Sequence, residues 1–429
     1  MSFVKNVGFT FVTRIAITAL SLVSSIVVAQ QLGPDGKGIF AVLGVITGIA
    51  VQLGILGLNS ANTHFAAKDP STTKSLNTNT LLISLFVGGF IAGVLILILY
   101  ISPETLGKNI PPLLLCLTIA TIPLLIFAQL IQNILVGRGL IKTYNIVLLC
   151  NQIFVTVGTI VLLTAFGFGI TSLVILTTIA VATTSLVFGR ISFKEYGIAK
   201  VLDNKLLKES FTYGFKLYLN QFFYFLILRS DLYILNFYHG TNATGIYSVA
   251  TQYADLLFMV SSTIALLLLP KMSKKISNKI EVSNQVTRIS TAIFAGSILI
   301  SLVIFKPLVA HLFGIAFIEA NTAIQYLYIG IFLLSVETIM SMYIVGTFVP
   351  WKLSLGWALA AVINIVLNII IIPNYGAIGA AITSSIAYTF IFFYVLVLYK
   401  VTTRSNLREI FIIQINDKKT LWKIVMMRQ

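Results

Sequence analysis

Five charged residues lie inside long apolar stretches of this chain, where a charge is costly. They are Arg14, Arg229, Asp231, Asp255 and Glu337. An Arg or Asp at the centre of a membrane helix is unfavourable by roughly 2.5–3.5 kcal/mol, so such residues usually face a cavity or a partner of opposite charge. Arginine binds anionic oxygen atoms, and an intramembrane carboxylate can take a proton or a sodium ion. These five residues are the first candidates for a functional site.

Each of these charges also has a purely structural explanation. Arg14 lies about two turns into the first apolar run, from which its long side chain can reach the cytoplasmic headgroups. Arg229 lies deeper and can pair with Asp255 or Glu337, which are then counter-ions instead of ion-coupling groups. Arg229 and Asp231 are two residues apart, so a regular helix turns them to different sides. Each is expected to need a partner on another helix.

The elements that position these residues are transmembrane helices. Hydrophobic residues make up 58% of the chain and the mean hydropathy is +0.98, which excludes an ordinary soluble protein. A bilayer core about 30 Å thick needs roughly 20 apolar residues per helix. Apolar runs of this length predict an all-α polytopic membrane protein with about 12 spans. The predicted spans are 7–29, 41–66, 78–101, 113–136, 144–166, 170–189, 216–238, 244–269, 289–313, 322–345, 354–372 and 376–399.

The basic residues predict the orientation of these spans. Of the 29 lysines and arginines, 24 fall in alternate gaps or in the terminal segments, and the opposite gaps hold only Lys37, Lys108 and Lys306. By the positive-inside rule both termini are expected in the cytoplasm. The net charge of +16 is dispersed over short loops. It therefore predicts attraction to anionic lipids and not nucleic-acid binding.

Catalytic and metal-binding patterns are absent from the sequence. There is no G-x-x-x-x-G-K-[ST] motif, the three histidines lie far apart, and no acidic pair has enzyme spacing. Cys116 and Cys150 have no paired spacing or ligand neighbours, so they are expected to be buried apolar residues. The interpretation is a protein that is not an enzyme and needs no cofactor or metal centre.

Two segments are similar enough to indicate an internal repeat. Residues 32–40 align with residues 239–247, which places Gly33 over Gly240 and Gly38 over Gly245. Both segments occupy the first outward turn of a six-span half. The predicted organisation is an N-terminal six-helix lobe at 1–190, a cytoplasmic connecting loop at 191–215, a C-terminal six-helix lobe at 216–399 and a basic cytoplasmic tail at 400–429. The tail mixes apolar and basic residues and is expected to lie on the inner membrane surface.

Uncharged polar and aromatic residues inside the spans form a second set of candidates. An aromatic and amide-rich wall suits the binding of sugar rings, although such residues also join helices by hydrogen bonds or form interfacial belts. The candidates are Asn59, Asn62, Gln221, Tyr224, Gln252 and Tyr253.

The first outward turn carries a family resemblance. Arg14 followed by the segment Gln30–Phe40, which reads QQLGPDGKGIF, resembles the start of the polysaccharide-transporter family of O-antigen and capsular repeat-unit flippases. That family belongs to the multidrug, oligosaccharidyl-lipid and polysaccharide exporter superfamily. The span count, the central cytoplasmic loop and the Gly-Ala-Ile-Gly-Ala-Ala run from Gly376 extend the similarity over essentially the whole chain.

The resemblance implies two lobes around a central cavity that opens alternately to either side of the membrane. The implied substrate is an undecaprenyl-diphosphate-linked oligosaccharide that moves from the inner to the outer leaflet, and a polysaccharide polymerase is an expected partner. Arg14 and Arg229 are expected to bind the diphosphate. Asp231, Asp255 or Glu337 is expected to carry H⁺ or Na⁺, since no ATP site is present. Only Arg14 falls within a stretch that matches the family.

The main alternative is a cation-coupled multidrug antiporter of the same superfamily. Acidic residues are expected to dominate the cavity of such a protein. Here two arginines balance three acids, so charge alone leaves both functions open, and the turn motif with Arg14 favours the flippase.

Overall fold

The computed structural model describes residues 3–273, 278–347, 351–412, 414 and 417. This part of the chain is helical and contains no strand. The helices are α1 (Phe3–Ile55), α2 (Leu58–Lys68), α3 (Thr73–Ile101), α4 (Pro103–Leu106), α5 (Pro112–Ala120), α6 (Ile122–Gly137), α7 (Ile141–Ile160), α8 (Ile170–Tyr196), α9 (Asn204–Ser273), α10 (Lys279–Leu312), α11 (Ala320–Thr347), α12 (Trp351–Thr403) and α13 (Leu407–Phe411). The predicted all-α membrane fold is confirmed.

Nine helical stretches in the described residues are long and apolar enough to cross a membrane. Three of them, within α1, α9 and α12, contain 48 to 53 residues, which at 1.5 Å per residue is more than twice a bilayer core. Each of these three helices is interrupted by one glycine with positive φ: Gly33 (65°), Gly240 (78°) and Gly376 (53°). The interruptions coincide with three predicted outward turns. The number of twelve crossings stays a prediction.

Two predicted spans are divided in the structure. The span at 41–66 breaks between α1 and α2, where Leu56 and Gly57 both have positive φ. A Cβ atom on Gly57 would overlap the carbonyl group of Gly214, so close packing of two backbones requires glycine there. The span at 113–136 breaks at Thr121, directly before the turn of α6 that contains Pro123. Proline cannot donate the hydrogen bond that would continue the preceding helix.

The contacts divide the chain into two units, which are described separately. Unit 1 contains residues 1–225, 235–245 and 312–316, and unit 2 contains residues 226–234, 246–311 and 317–429. Of the predicted connecting loop at 191–215, only 197–203 lies outside α8 and α9. The predicted division into lobes stays a prediction.

The exposed and buried residues bear on two minor predictions, one about the cysteines and one about the tail. Cys116 and Cys150 are both exposed, so the prediction that they are buried was wrong. The tail beyond α12 forms the short helix α13, in which Ile410 is fully buried while Leu407 is about half exposed. Part of the tail therefore packs on the protein itself, and residues 413, 415, 416 and 418–429 lie outside the described residues.

Candidate functional site

An exposed ion pair lies in the membrane region of unit 2. Arg229 donates from Nη2 to Oδ2 of Asp255 at 2.6 Å, and the two side chains are 29% and 42% exposed. They line a cavity of about 20 Å³, which is enough for one water molecule. Thr251 and Tyr388 lie in the same cavity wall. Of the two acids predicted as partners of Arg229, the structure selects Asp255.

Asp231 lies on the same helix and has a different environment. It is 1% exposed, and its Oδ2 accepts hydrogen bonds from the hydroxyl groups of Tyr247 at 2.6 Å and Ser384 at 3.1 Å. Its Oδ1 accepts the backbone N–H of Leu232. Asp231 and Arg229 therefore contact different partners on other segments, as their spacing predicts.

Asp231 and Arg229 each belong to a layer of polar side chains. The same three helical segments supply the residues of both layers. Tyr247 and Ser384 reach Asp231, which we call the Asp231 layer. Eight residues after Tyr247, Asp255 reaches Arg229, and four residues after Ser384, Tyr388 lines the cavity beside them. Positions four or eight residues apart share one face of a helix. Arg229, Asp255 and Tyr388 thus form a second layer, the Arg229 layer, directly beside the Asp231 layer.

A network of amide and hydroxyl groups begins at Ser230, the neighbour of Asp231 in the chain. The Oδ1 of Asn364 accepts from Ser230 Oγ at 3.1 Å and from Asn368 Nδ2 at 3.0 Å, and Thr383 donates to Asn368 Oδ1. The Nδ2 of Asn364 is buried without a hydrogen-bond partner among the described residues. Carboxylate, amide and hydroxyl oxygen atoms of this kind suit a proton or a hard monovalent cation.

The sequence did not single out this network as a site. Asn364, Asn368, Thr383 and Ser384 are not among the residues that the sequence identified as candidates. Their sequence signal is a pair of asparagines four residues apart in an apolar span, followed by Thr-Ser-Ser in the next span. That signal places polar groups on one helix face but does not show that the face meets Asp231.

Glu337, the third predicted acid, is buried in unit 2. It is 1% exposed, and Thr338 Oγ1 approaches its Oε2 at 3.4 Å. Its Oε1 has no hydrogen-bond partner, and it forms no ion pair with any described residue. Glu337 is therefore not the counter-ion of Arg229.

Unit 1 holds the other predicted anchor. Arg14 is exposed, lies near Tyr144 and forms no ion pair within the described residues. Its head group is free to reach lipid phosphates or a substrate, so both explanations of Arg14 stay open. Lys37, which the sequence placed in an outward gap, is buried on the helical segment after Gly33 and donates to Ser25 Oγ. Nothing in the sequence around Lys37 indicated that its side chain would be buried.

The candidates for glycan contact in unit 1 differ in accessibility. Asn62 is buried, and its Nδ2 donates to Thr80 Oγ1 at 3.0 Å and to the carbonyl group of Leu130 at 3.1 Å. Asn59 and Tyr224 are half-buried and Gln221 is exposed. The amide hydrogens of Asn62 are thus used within the helix bundle, whereas Gln221 presents its amide outward.

The corresponding candidates in unit 2 are Gln252 and Tyr253, which are both half-buried. The ring of Tyr253 contacts that of Phe305 at a tilt of 49°, with centroids 4.4 Å apart, and its hydroxyl group accepts from Ser301 Oγ at 2.9 Å. Tyr253 is therefore held in place by contacts within the unit.

The repeated outward turns contact each other within unit 1. Gly33 and Gly240 adopt nearly the same backbone angles. A Cβ on Gly38 would overlap the carbonyl oxygen of Thr241, and a Cβ on Gly245 would overlap that of Pro34. The carboxylate of Asp35 accepts from Thr241 Oγ1 at 2.7 Å and from Asn242 Nδ2 at 3.2 Å. This reciprocal packing supports the sequence alignment of the two turns.

Fold and residues together define a polytopic membrane protein, and solved structures share this fold. The inward closed form of the lipid II flippase MurJ superposes with a TM-score of 0.76 at 15% identity, covering 98% of this chain and 93% of that one. An inward-facing multidrug resistance MATE family transporter of the MOP superfamily gives 0.72 at 17% identity, covering 91% and 96%. A MOP superfamily transporter from Pyrococcus furiosus with a reversed polarity of its binding pocket gives 0.62 at 15% identity, covering 94% and 96%.

The family follows from the sequence match. The model of the family described as polysaccharide biosynthesis protein matches residues 3–276, well over half of the chain. The protein belongs to this family, as its outward-turn motif indicated. No curated protein matches the chain.

Proposed function

We propose that this protein is a flippase that moves undecaprenyl-diphosphate-linked oligosaccharide repeat units from the inner to the outer leaflet of the bacterial cytoplasmic membrane. The product would serve O-antigen, capsule or exopolysaccharide synthesis, in which a polysaccharide polymerase consumes it on the outer side. Family membership and the shared fold with a lipid II flippase support this class of substrate. The observation that carries the proposal is the partly exposed Arg229, held by a single acid inside the membrane.

The diphosphate is the part of this substrate that most needs a binding site in the membrane. A guanidinium group binds phosphate oxygen atoms through two parallel N–H donors. Arg229 contacts Asp255 through one nitrogen, and both side chains are partly exposed. An exposed ion pair is worth about 1 kcal/mol or less, so a diphosphate can displace Asp255 at little cost. Arg14, exposed in unit 1, is the second proposed anchor.

The glycan requires polar contacts while the polyprenyl chain stays in lipid. Gln221, Tyr224 and Asn59 of unit 1 and Gln252 and Tyr253 of unit 2 are the proposed contacts. Asn62 contributes by holding its helix in place, because its amide already bonds Thr80 and Leu130.

The driving ion is proposed to bind in the Asp231 layer. The carboxylate of Asp231 has hydroxyl partners that can reorient, and the network through Asn364 and Asn368 adds further oxygen atoms. Either H⁺ or Na⁺ fits this chemistry. In this assignment Asp255 is a displaceable counter-ion, and buried Glu337 is a second proton-binding candidate.

Topology and lipid contacts complete the proposal. Both termini lie in the cytoplasm, and the basic inner loops attract anionic lipids. Outward opening requires the two outward turns joined by Asp35, Gly38 and Gly245 to separate.

The test is the location of lipid-linked glycan in cells depleted of the protein. An impermeant sugar-modifying reagent added to spheroplasts distinguishes the outer from the inner leaflet. The expected result is accumulation of undecaprenyl-diphosphate-linked glycan in the inner leaflet, reversed by the wild-type protein and not by Arg229→Ala. As a matched control, Arg190→Ala replaces an exposed arginine at the end of α8 and should restore the outer-leaflet pool.

The likeness to a multidrug transporter makes a second function worth testing in the same cells. Unaltered distribution of lipid-linked glycan together with increased sensitivity to cationic drugs would refute the flippase. It would establish the antiporter instead.

A further inference from the structure

The Asp231 layer and the Arg229 layer lie side by side, and one residue is placed to join them. Tyr388 is 5% exposed and lines the cavity that holds Arg229 and Asp255. One turn earlier on α12, Ser384 donates to Asp231. The same helix face therefore contacts both the proposed anchor for the diphosphate and the proposed site of the driving ion.

The electrostatic environment of Tyr388 agrees with this placement. Tyr388 lines the same cavity as Arg229 and interacts electrostatically with its guanidinium and with the phenol of Tyr247. Tyr247 in turn donates to Asp231 at 2.6 Å. The polar groups thus follow the order Asp255, Arg229, Tyr388, Tyr247, Asp231.

We propose that Tyr388 is a positioning residue whose hydroxyl group makes diphosphate binding at Arg229 depend on the ionic state of Asp231. A phenol can accept from a guanidinium and donate to a second oxygen at the same time. When Asp231 takes up a cation, its carboxylate becomes a weaker acceptor for the Tyr247 hydroxyl group, and this favours a new direction for that donor. Tyr388 passes that change to Arg229 because it interacts with both groups. The charged and titratable groups near Tyr388 are Arg229 and Asp255, which line the same cavity, and Tyr247, with which it interacts electrostatically.

This inference rests on the proposed function, because it assumes a diphosphate ligand and a driving cation. Coupling between two sites is reciprocal, so a cation that changes diphosphate affinity is itself bound differently when diphosphate is present. Typical coupling changes an affinity by about 5- to 150-fold. Loss of a coupling residue should abolish the effect of the cation on diphosphate affinity. The diphosphate and the cation should each still bind in the absence of the other.

The experiment uses the purified full-length protein and undecaprenyl diphosphate as the probe. Its dissociation constant is measured with Na⁺ and with choline in its place, each at two pH values. In the wild type, the active cation should change the constant by at least about fivefold. Tyr388→Phe keeps the ring and removes the hydroxyl group. It should reduce the factor to less than about twofold, with the constant in choline within about threefold of the wild type.

Two further variants make the result specific. Tyr394→Phe removes a hydroxyl group from the same helix, one that donates to the carbonyl group of Lys352, and should keep the full coupling factor. Tyr247→Phe removes the contact to Asp231 and should weaken the stabilisation of the protein by the cation itself. In Tyr388→Phe that stabilisation should remain.

The contrary outcomes separate this inference from the proposed function. Full coupling in Tyr388→Phe, or a wild-type constant that neither Na⁺ nor pH changes, overturns the role of Tyr388 while leaving the flippase proposal intact. If the wild type binds undecaprenyl diphosphate no better than uncharged undecaprenol, or if Arg229→Ala binds it as well as the wild type does, the proposed function itself fails.

Discussion

Unit 2 contains two Arg–Asp pairs with the same chemistry and opposite environments. Arg229 and Asp255 make one contact of 2.6 Å, and their side chains are 29% and 42% exposed. Arg288 and Asp417 make two contacts, of 2.6 and 2.9 Å, with side chains 4% and 0% exposed. Arg288 also donates to the carbonyl group of Glu409. A buried bidentate pair is costly to break, whereas an exposed single contact is easily exchanged.

Burial and the number of contacts distinguish a structural ion pair from a functional one. The Arg288–Asp417 pair ties the tail to α10, on which Asn284 also accepts from the hydroxyl group of Tyr399 and donates to Ser405 Oγ. The Arg229–Asp255 pair makes a single contact and borders a cavity. We therefore expect the first pair to determine stability and the second to determine transport.

The largest effect is expected for Arg229→Ala. It should reduce transport of lipid-linked glycan at least about 100-fold, because the variant loses the charge-assisted hydrogen bonds that we propose hold the diphosphate. Protein level and thermal stability should stay near those of the wild type, since the lost pair is exposed. Arg229→Lys should keep part of the activity. Full transport by Arg229→Ala, measured by the arrival of glycan in the outer leaflet, would contradict a functional role for this pair.

A large effect of the opposite kind is expected for Arg288→Ala. Removing one partner of a buried pair leaves an uncompensated charge and should destabilise the folded protein by about 3 kcal/mol. Thermal unfolding in detergent measures the loss. Transport per folded molecule should change little. Arg408→Ala, which replaces an exposed arginine of α13, is the control and should melt as the wild type does.

A smaller effect is expected for Asp255→Asn. The variant removes the anion that competes with the diphosphate for Arg229, so undecaprenyl diphosphate should bind about two- to fivefold more tightly, in line with an ion pair worth at most about 1 kcal/mol. The dependence on Na⁺ or pH should persist, because the driving ion is assigned to Asp231. Binding of undecaprenyl diphosphate to Asp255→Asn, measured at several Na⁺ concentrations and pH values, tests whether this dependence persists. Loss of that dependence would make Asp255 the ion-coupling residue.

The smallest effect is a pH dependence of the tail contact. Hydrogen bonds from Arg288 hold the pKa of Asp417 below its usual value of 3.8. A carboxyl group with a lowered pKa in the folded state stabilises that state above its unfolded pKa, and the gain is lost as the pH falls. The difference in melting temperature between wild type and Asp417→Asn should thus shrink from about pH 6 to about pH 3. A difference that does not change with pH would mean that the charge of Asp417 is not what stabilises the tail.

The sequence was sufficient for the parts of the fold that depend on local composition. Apolar runs located the helices, and the glycines at 33, 240 and 376 interrupt the structure where outward turns were predicted. It missed the break at Leu56–Gly57, because that break depends on close packing against Gly214. A glycine in a strongly apolar run carries no sign of which backbone it will meet.

The candidate site was only partly predictable for the same reason. The sequence identified Arg229, Asp231 and Asp255, because a charge in an apolar span is conspicuous. It did not decide whether Asp255 or Glu337 is the partner of Arg229, because positions along the sequence do not determine which residues of different helices are in contact. Ser384 and Tyr388 gave no signal, because serine and tyrosine are common in membrane spans and only the packing of α12 against α9 brings them to the charges.

The most direct test of the central claim uses the purified protein in liposomes that contain undecaprenyl-diphosphate-linked oligosaccharide in the inner leaflet only. Arrival of glycan in the outer leaflet is followed with an impermeant lectin. We predict that glycan reaches the outer leaflet rapidly with the wild type and almost not at all with Arg229→Ala. With Arg288→Ala, the rate per folded molecule should be close to that of the wild type. Equal rates for wild type and Arg229→Ala, or no arrival with any of the three, would contradict this prediction.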